Sequence, residues 1–370
     1  MKSRRLSSSS LAEHAKSFFT WSLAGAAIAV LSFAAALPLL AQDERSISID
    51  LTRPGSGTVS TVSASAFHIK YAATDAARSS HIDRLQGASR APLEAARPQA
   101  AMAATVPSVP SPGFYPSDLD YFGGHTLTQM ESNNVYVNTR SCGSVQTCWG
   151  NPRQFLQDLN ASNFIRLTDQ YTGTRGNYGV GDSVSARVRP VETPIGTEIT
   201  EDQILALVHE AASEIGTGYS HEYHVFLPAG IDTCFAGDQV CYSPNHPSTW
   251  LFCAYHGFVD FTDIGHVILS VEPYQNVRGC SAAPPNPNGA LADSTNTVLS
   301  HELIESITDP DLDAWIANNS LLVAGEEIGD LCQPIGNKGQ ALDSYVMLNG
   351  HPYELQLEYS NTYHACAGAP

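Results

Sequence analysis

Hydrophobic and polar positions follow two periods along the second two-thirds of the chain. "NNVYVNT" (Asn133–Thr139) alternates with period two and predicts a strand. "EYHVFLPAG" (Glu222–Gly230) and "HVILSVEPY" (His266–Tyr274) are apolar runs that predict buried strands. "PYELQLEYS" (Pro352–Ser360) alternates again. Helical spacing appears three times. Asn151-Pro152 opens the first helix, with Asn as cap, Pro at the first helical position, and Phe155, Leu156 and Leu159 on one face. "TEDQILALVHEAASEIG" (Thr200–Gly216) begins with a Thr200/Gln203 capping box, carries a broad apolar face and ends at glycine. Asp293 to Thr308 forms the third, stopped by Asp309-Pro310. Strands and helices mix without regular alternation. The expected class is therefore α+β, in one main domain over residues 113–370, rather than a doubly wound sheet.

The first third of the chain has a different texture. Lys2, Arg4, Arg5 and Lys16 precede an uncharged stretch from Ser17 to Gln42 that includes "WSLAGAAIAVLSFAAALPLLA". A basic start, an apolar run and a small residue before a polar break read as a secretory signal over residues 1–42, with cleavage after Ala41. The run is also long enough to span a bilayer, so an uncleaved N-terminal anchor is the alternative. Either way the remainder is expected to be secreted, or held at the cell surface. Residues 43–112 are rich in Ala, Ser and Pro, lack Cys and Trp, and end in "VPSVPSPG". They read as a linker or propeptide, with a short strand near "SISIDL".

Cysteine supports export. All eight (Cys142, Cys148, Cys234, Cys241, Cys253, Cys280, Cys332 and Cys366) follow the signal, and an even count in an exported chain reads as a disulfide framework. The expected pairs are Cys142–Cys148, Cys234–Cys241 and Cys332–Cys366. Charge narrows the partners. The formal net charge is −18, and residues 113–370 carry all of it and more, with Lys338 as their only lysine. Such a surface repels nucleic acid and anionic lipid, which leaves the anchor as the sole membrane contact expected.

The chemistry concentrates in "VLSHELIESITDP" (Val298–Pro310), which holds His-Glu-x-x-Glu. Residues four apart share a helix face, so His301 and Glu305 can hold one metal ion together. Glu302 then stands beside them as a general base, the division of labour found in His-Glu-x-x-His motifs. Carboxylate oxygen is an acceptable zinc ligand, so Glu305 can stand where histidine usually does. His209-Glu210 and His221-Glu222 have no ligand partner four residues on. Downstream, "GEEIGDLC" (Gly325–Cys332) supplies a second acidic cluster. Zinc peptidases of the gluzincin type take a third ligand from a glutamate some two dozen residues after the motif. Glu327 falls at that distance as the expected third ligand, with Glu326 as the alternative. Asp330 is the expected partner that orients His301. Asp311 is a weaker, metzincin-like choice, because Thr308 stands where that family needs glycine. His256 in "FCAYHGF" and Tyr353 late in the chain are candidate transition-state donors. Two carboxylates neutralise a dication, so the site should be less aggressive than a His/His/Glu one, or should prefer a harder divalent metal than zinc.

The ordered set "YHVFLPAGIDTC", "FCAYHGF", "VLSHELIESITDPDLDAW", "EIGDLC" and "YHACAG" resembles the EXORDIUM (phosphate-induced) proteins of plant cell walls and their secreted microbial relatives. The resemblance covers roughly residues 133–368. It implies export to a wall or surface and disulfide bonding, and it gives weight to His301, Glu302, Glu305, Glu327, Asp330 and Cys332. The expectation is a secreted, disulfide-stabilised, metal-dependent hydrolase with a zincin-like sheet on its active-site helix, acting on a peptide or cell-wall polymer. The alternative is a noncatalytic wall or surface binding protein. A polysaccharide-binding form of it would need Trp149, Trp250 and Trp315 exposed on one face.

Overall fold

The period-two segments become strands of one sheet in a computed structural model, which describes residues 46–52, 64–73, 118–194, 196–235, 240–318, 326–333 and 343–370. The signal or anchor expected over residues 1–42 lies outside the described residues. Seven strands form the sheet: β1 (Ser46–Asp50), β2 (Ala64–Ala73), β3 (Gln129–Val137), β4 (Asn177–Arg187), β5 (His221–Phe226), β6 (Phe252–Phe261) and β7 (Gly265–Glu272). Their order is β1-β4-β3-β5-β7-β6-β2. The first five in that order run parallel. β6 is antiparallel to β7, joined by a short turn, and β2 is antiparallel to β6.

Both edges of this sheet come from the segment read as a linker or propeptide. Ser46–Asp50 is the strand expected near "SISIDL", and it pairs with β4 from Ser46↔Ser183 to Asp50↔Arg187. β2 was not anticipated. Its residues pair along most of β6, including His256↔Lys70. Residues 43–112 are therefore not a linker throughout, because two of their short runs complete backbone ladders that the sheet would otherwise leave open.

The helices start and stop where their caps dictate. α1 (Pro152–Asn160) is capped by Asn151, whose side chain accepts from the Gln154 amide. α2 (Glu201–Ile215) has the Thr200/Gln203 capping box and ends at Gly216. α3 (Ala290–Thr308) begins three residues before the expected Asp293 and stops at Asp309. The strand-helix-strand units from β3 to β5 make the sheet more parallel than the irregular alternation suggested, while the class remains α+β with a mixed central sheet. α2 buries Ile204, Leu207, Val208 and Ala211 on one sheet face, against Val135, Val184, Tyr223, Val225 and Leu269. α1 and α3 pack with Tyr136, Phe226 and Ile268 from the other face.

Two further strands, β8 (Asp343–Leu348) and β9 (His351–Gln356), form a hairpin. β9 lies along α3, where the Gln356 amide donates to Thr297 Oγ1 at 2.6 Å. Every residue of α3 from Asp293 to Thr308 is buried, so the helix is enclosed on all sides. All four disulfides join cysteines with Cα atoms 4.1–5.7 Å apart. Three are the expected pairs, and Cys253–Cys280 is the fourth. Cys332–Cys366 ties the single turn Asp330–Cys332 to the C-terminal segment.

Candidate metal centre

Helical spacing brings His301 and Glu305 together as expected, with His301 Nε2 3.2 Å from Glu305 Oε1. The turn after α3 supplies their third neighbour. Asp330 Oδ1 lies 3.8 Å from the same imidazole nitrogen, and the Asp330 amide donates to Glu305 Oε1 at 3.2 Å. His301, Glu305 and Asp330 thus offer one donor atom each within metal-binding range of one another. Gly329 makes this approach feasible. A Cβ built there would stand 2.3 Å from His301 Nδ1 and 3.0 Å from Glu305 Oε1, so any side chain would push into the centre.

The residue on the other nitrogen of His301 is Gln356. Its Nε2 lies 3.0 Å from His301 Nδ1 and donates to the Gly329 carbonyl at 2.7 Å. Gln356, and not Asp330, therefore meets the far nitrogen of the His301 ring. Asp330 instead faces the nitrogen that Glu305 faces.

A second group adjoins the first. His256 projects from the middle of β6, with Nδ1 3.3 Å from Glu302 Oε2 and 3.4 Å from Glu305 Oε2. His256, Glu302 and Glu305 also lie within range of one ion. Glu327 stands against the far side of this ring, its Oε1 3.6 Å from His256 Nε2, rather than in the His301 group. His256 is therefore part of the centre, not a donor at its margin. Tyr353 lies elsewhere: its hydroxyl donates to Asp158 Oδ2 at 2.6 Å, beside His351, which contacts the same oxygen at 2.7 Å. Tyr353, expected as a donor, thus has its hydroxyl on Asp158.

The centre is buried and acidic. His256, Glu302, Glu305 and Glu358 are fully enclosed, and His301 is 1% exposed. Beneath α3, Glu222 and Glu272 are also fully buried. Ser306 donates to Glu222 Oε1 at 2.8 Å, and Ser270 donates to Glu272 Oε1 at 2.9 Å. Among the described residues, Glu302 Oε1 and both oxygens of Glu358 accept no hydrogen bond. Isolated carboxylates are costly to bury, by several kcal/mol each after relaxation. The protonation equilibria reflect that cost. Burial pushes the Glu222 carboxyl up to about 8 and Glu358 well above the usual range. Glu302 is raised by burial too, with His256 and His301 opposing it. Glu305 is the exception: burial works to raise it, but His301 and His256 hold it below the ordinary carboxylate range. Both imidazoles respond in turn. Burial alone would lower them, yet the surrounding carboxylates hold His256 and His301 well above an ordinary imidazole.

This donor set fits a divalent cation. It offers carboxylate oxygens and imidazole nitrogens with orphaned lone pairs in an enclosed space, so an ion would relieve the crowded negative charge. Glu222, Glu272, Gln356 and Glu358 were not singled out from the sequence. The signal available for the two strand glutamates was a charge inside an otherwise apolar strand. His221-Glu222 has no helical partner in the sequence, yet Glu222 faces α3 from the sheet. No protein-family model matches the chain, and no curated protein or solved structure matches it.

Proposed function

We propose that the chain is an exported metal-dependent hydrolase, most simply a peptidase, with His301, Glu305 and Asp330 as the ligands of zinc or another divalent metal. The observation that carries this reading is the meeting of His301, Glu305 and Asp330 in one buried group, with Glu302 adjacent in sequence and lacking a partner at Oε1. Gln356, held by the Gly329 carbonyl, packs against the opposite nitrogen of the His301 ring. A divalent ion there would supply Lewis acidity toward a carbonyl oxygen and make water easier to ionise. Glu302 Oε1 takes the proton of the attacking water and returns it to the leaving nitrogen. Two carboxylates against one imidazole favour a hard ion and moderate the chemistry. Export is supported by the disulfides, by the acidic surface and by the resemblance to the EXORDIUM family. A peptide or a wall polymer suits such a location as substrate. Among the described residues no helix is long and apolar enough to cross a membrane.

The test is Glu302→Gln in the purified full chain, assayed on peptide libraries. Lost turnover with metal retained at the His301 group supports the reading. Turnover at the wild-type rate would overturn the assignment of Glu302. A second reading, a noncatalytic surface protein with a structural metal, is favoured by one observation: the enclosure of the group, with Asp330 only 5% exposed. It predicts no turnover in the wild type and a chelator-sensitive melting temperature. Its polysaccharide-binding form loses one of the aromatics it needs, because Trp149 is fully buried with its indole N–H donating to the Leu227 carbonyl.

A further inference from the structure

Glu305 divides its carboxylate between two histidines. Oε1 faces His301 at 3.2 Å, and Oε2 faces His256 at 3.4 Å. The two donor groups, His301/Glu305/Asp330 and His256/Glu302/Glu305, share only this residue. We propose that the centre is dinuclear: a second divalent cation occupies the His256/Glu302/Glu305 group, and Glu305 bridges it to the first. The proposal rests on the metal site assigned above and adds a position that no motif in the sequence announces.

Three observations carry it. The first is the orientation of His256. Its Nδ1 points at Glu302 Oε2 and Glu305 Oε2, while Nε2 faces Glu327 Oε1 at 3.6 Å. Nδ1 is the nitrogen that meets both carboxylates at close range, and an ion between the three would replace the proton that Nδ1 and Glu302 share. Glu327, expected to be a ligand of the first ion, instead stands 3.6 Å from the opposite nitrogen of this ring, too far for a hydrogen bond. The second observation is the set of orphaned atoms. Glu302 is fully buried, its Oε1 accepts no hydrogen bond, and Glu305 Oε2 meets no well-aligned donor. Glu302 can ligate through Oε2 and keep Oε1 for proton transfer. The third is charge. Glu302, Glu305, Glu327 and Asp330 are four carboxylates around two imidazoles, all within the protein interior. One dication leaves that group anionic; two balance it with both imidazoles neutral. Paired ions bridged by a carboxylate are an established arrangement for hydrolysis, in which one ion holds the nucleophile and the other the leaving group.

The test uses the full-length chain, stripped with chelator and reloaded separately with Zn²⁺ and Mn²⁺. The expected result is about two equivalents bound, with a spin-coupled Mn²⁺ pair in the electron paramagnetic resonance spectrum. His256→Ala should fall to about one equivalent with an isolated-ion spectrum, and Glu305→Gln should abolish the coupling. The wild-type spectrum is informative even if a variant fails to fold. One equivalent with an isolated-ion spectrum in the wild type overturns the second site and leaves the first standing. Absence of any bound metal overturns both.

Discussion

The two faces of the central sheet bury side chains of opposite character. On β5, Tyr223 and Val225 point to the face covered by α2, while Glu222, His224 and Phe226 alternate with them toward α3. On β7, Val267, Leu269 and Val271 serve the α2 face, and Ser270 and Glu272 fall on the other. The α2 side is an ordinary apolar layer, whose burial drives folding at roughly 25 cal/mol per Å². The α3 side encloses carboxylates and imidazoles, each costly to desolvate. The same strands supply both, so period two decides only which face a residue meets. A face that accepts such a cost is a candidate functional site.

Substitutions on the two faces should separate accordingly. The largest effect is expected for Glu305→Ala, which strips the shared partner from His256 and His301. It should destabilise the chain by ~3–5 kcal/mol and remove bound metal. Chemical unfolding with metal analysis checks it, and a loss below ~1 kcal/mol with metal retained would place the ion elsewhere. On the α2 face, Leu207→Ala should cost ~2–5 kcal/mol through the cavity it leaves. That cost should be the same with and without chelator. A chelator-dependent cost would mean that the two faces are coupled through the sheet. Gly329→Ala should be milder in stability but should weaken metal affinity by about 10–100-fold, because the new methyl displaces His301 or Glu305. Unchanged affinity in competition titrations would remove the turn from the site.

The smallest expected effect is a pH dependence outside the centre. His266 lies 2.9 Å from Asp260 Oδ1 and 3.1 Å from Asp311 Oδ1, and Asp311 also accepts from the Tyr219 hydroxyl. Burial works to lower the His266 imidazole, but these carboxylates raise it above the ordinary value. Its contribution is therefore complete below about pH 6.5 and is lost as pH rises through the folded-state value. His266→Gln should flatten that decline, worth ~0.5 kcal/mol. Melting curves from pH 6 to 9 check it, and an unchanged slope would contradict it.

How much of this was legible in the sequence depends on range. Local chemistry was readable: the Asn151 and Thr200 caps, the stop at Asp309-Pro310, and the His301–Glu305 face all follow from neighbours within four residues. Three disulfides match the expected pairs, two of them local, although eight cysteines allow 105 pairings and spacing alone does not assign them. What escaped was non-local. β2 pairs with a strand some 190 residues later in the chain, and local alternation does not name a partner. Gln356 reaches His301 only because β9 lies along α3, and Glu222 faces the same helix only because β5 lies beneath it. The positions of Glu327 and Asp330 are of this kind. Both sit in one acidic turn, and only its path past His256 and His301 decides which carboxylate meets which ring.

Above all, we propose that the buried group on α3 holds a divalent metal. Elemental analysis of the purified full-length chain, beside His301→Ala prepared identically, tests it most directly. Stoichiometric metal is expected in the wild type, with a loss of at least one equivalent in the variant. A wild type free of metal after incubation with Zn²⁺ or Mn²⁺, or a His301→Ala chain that binds as much, would contradict it.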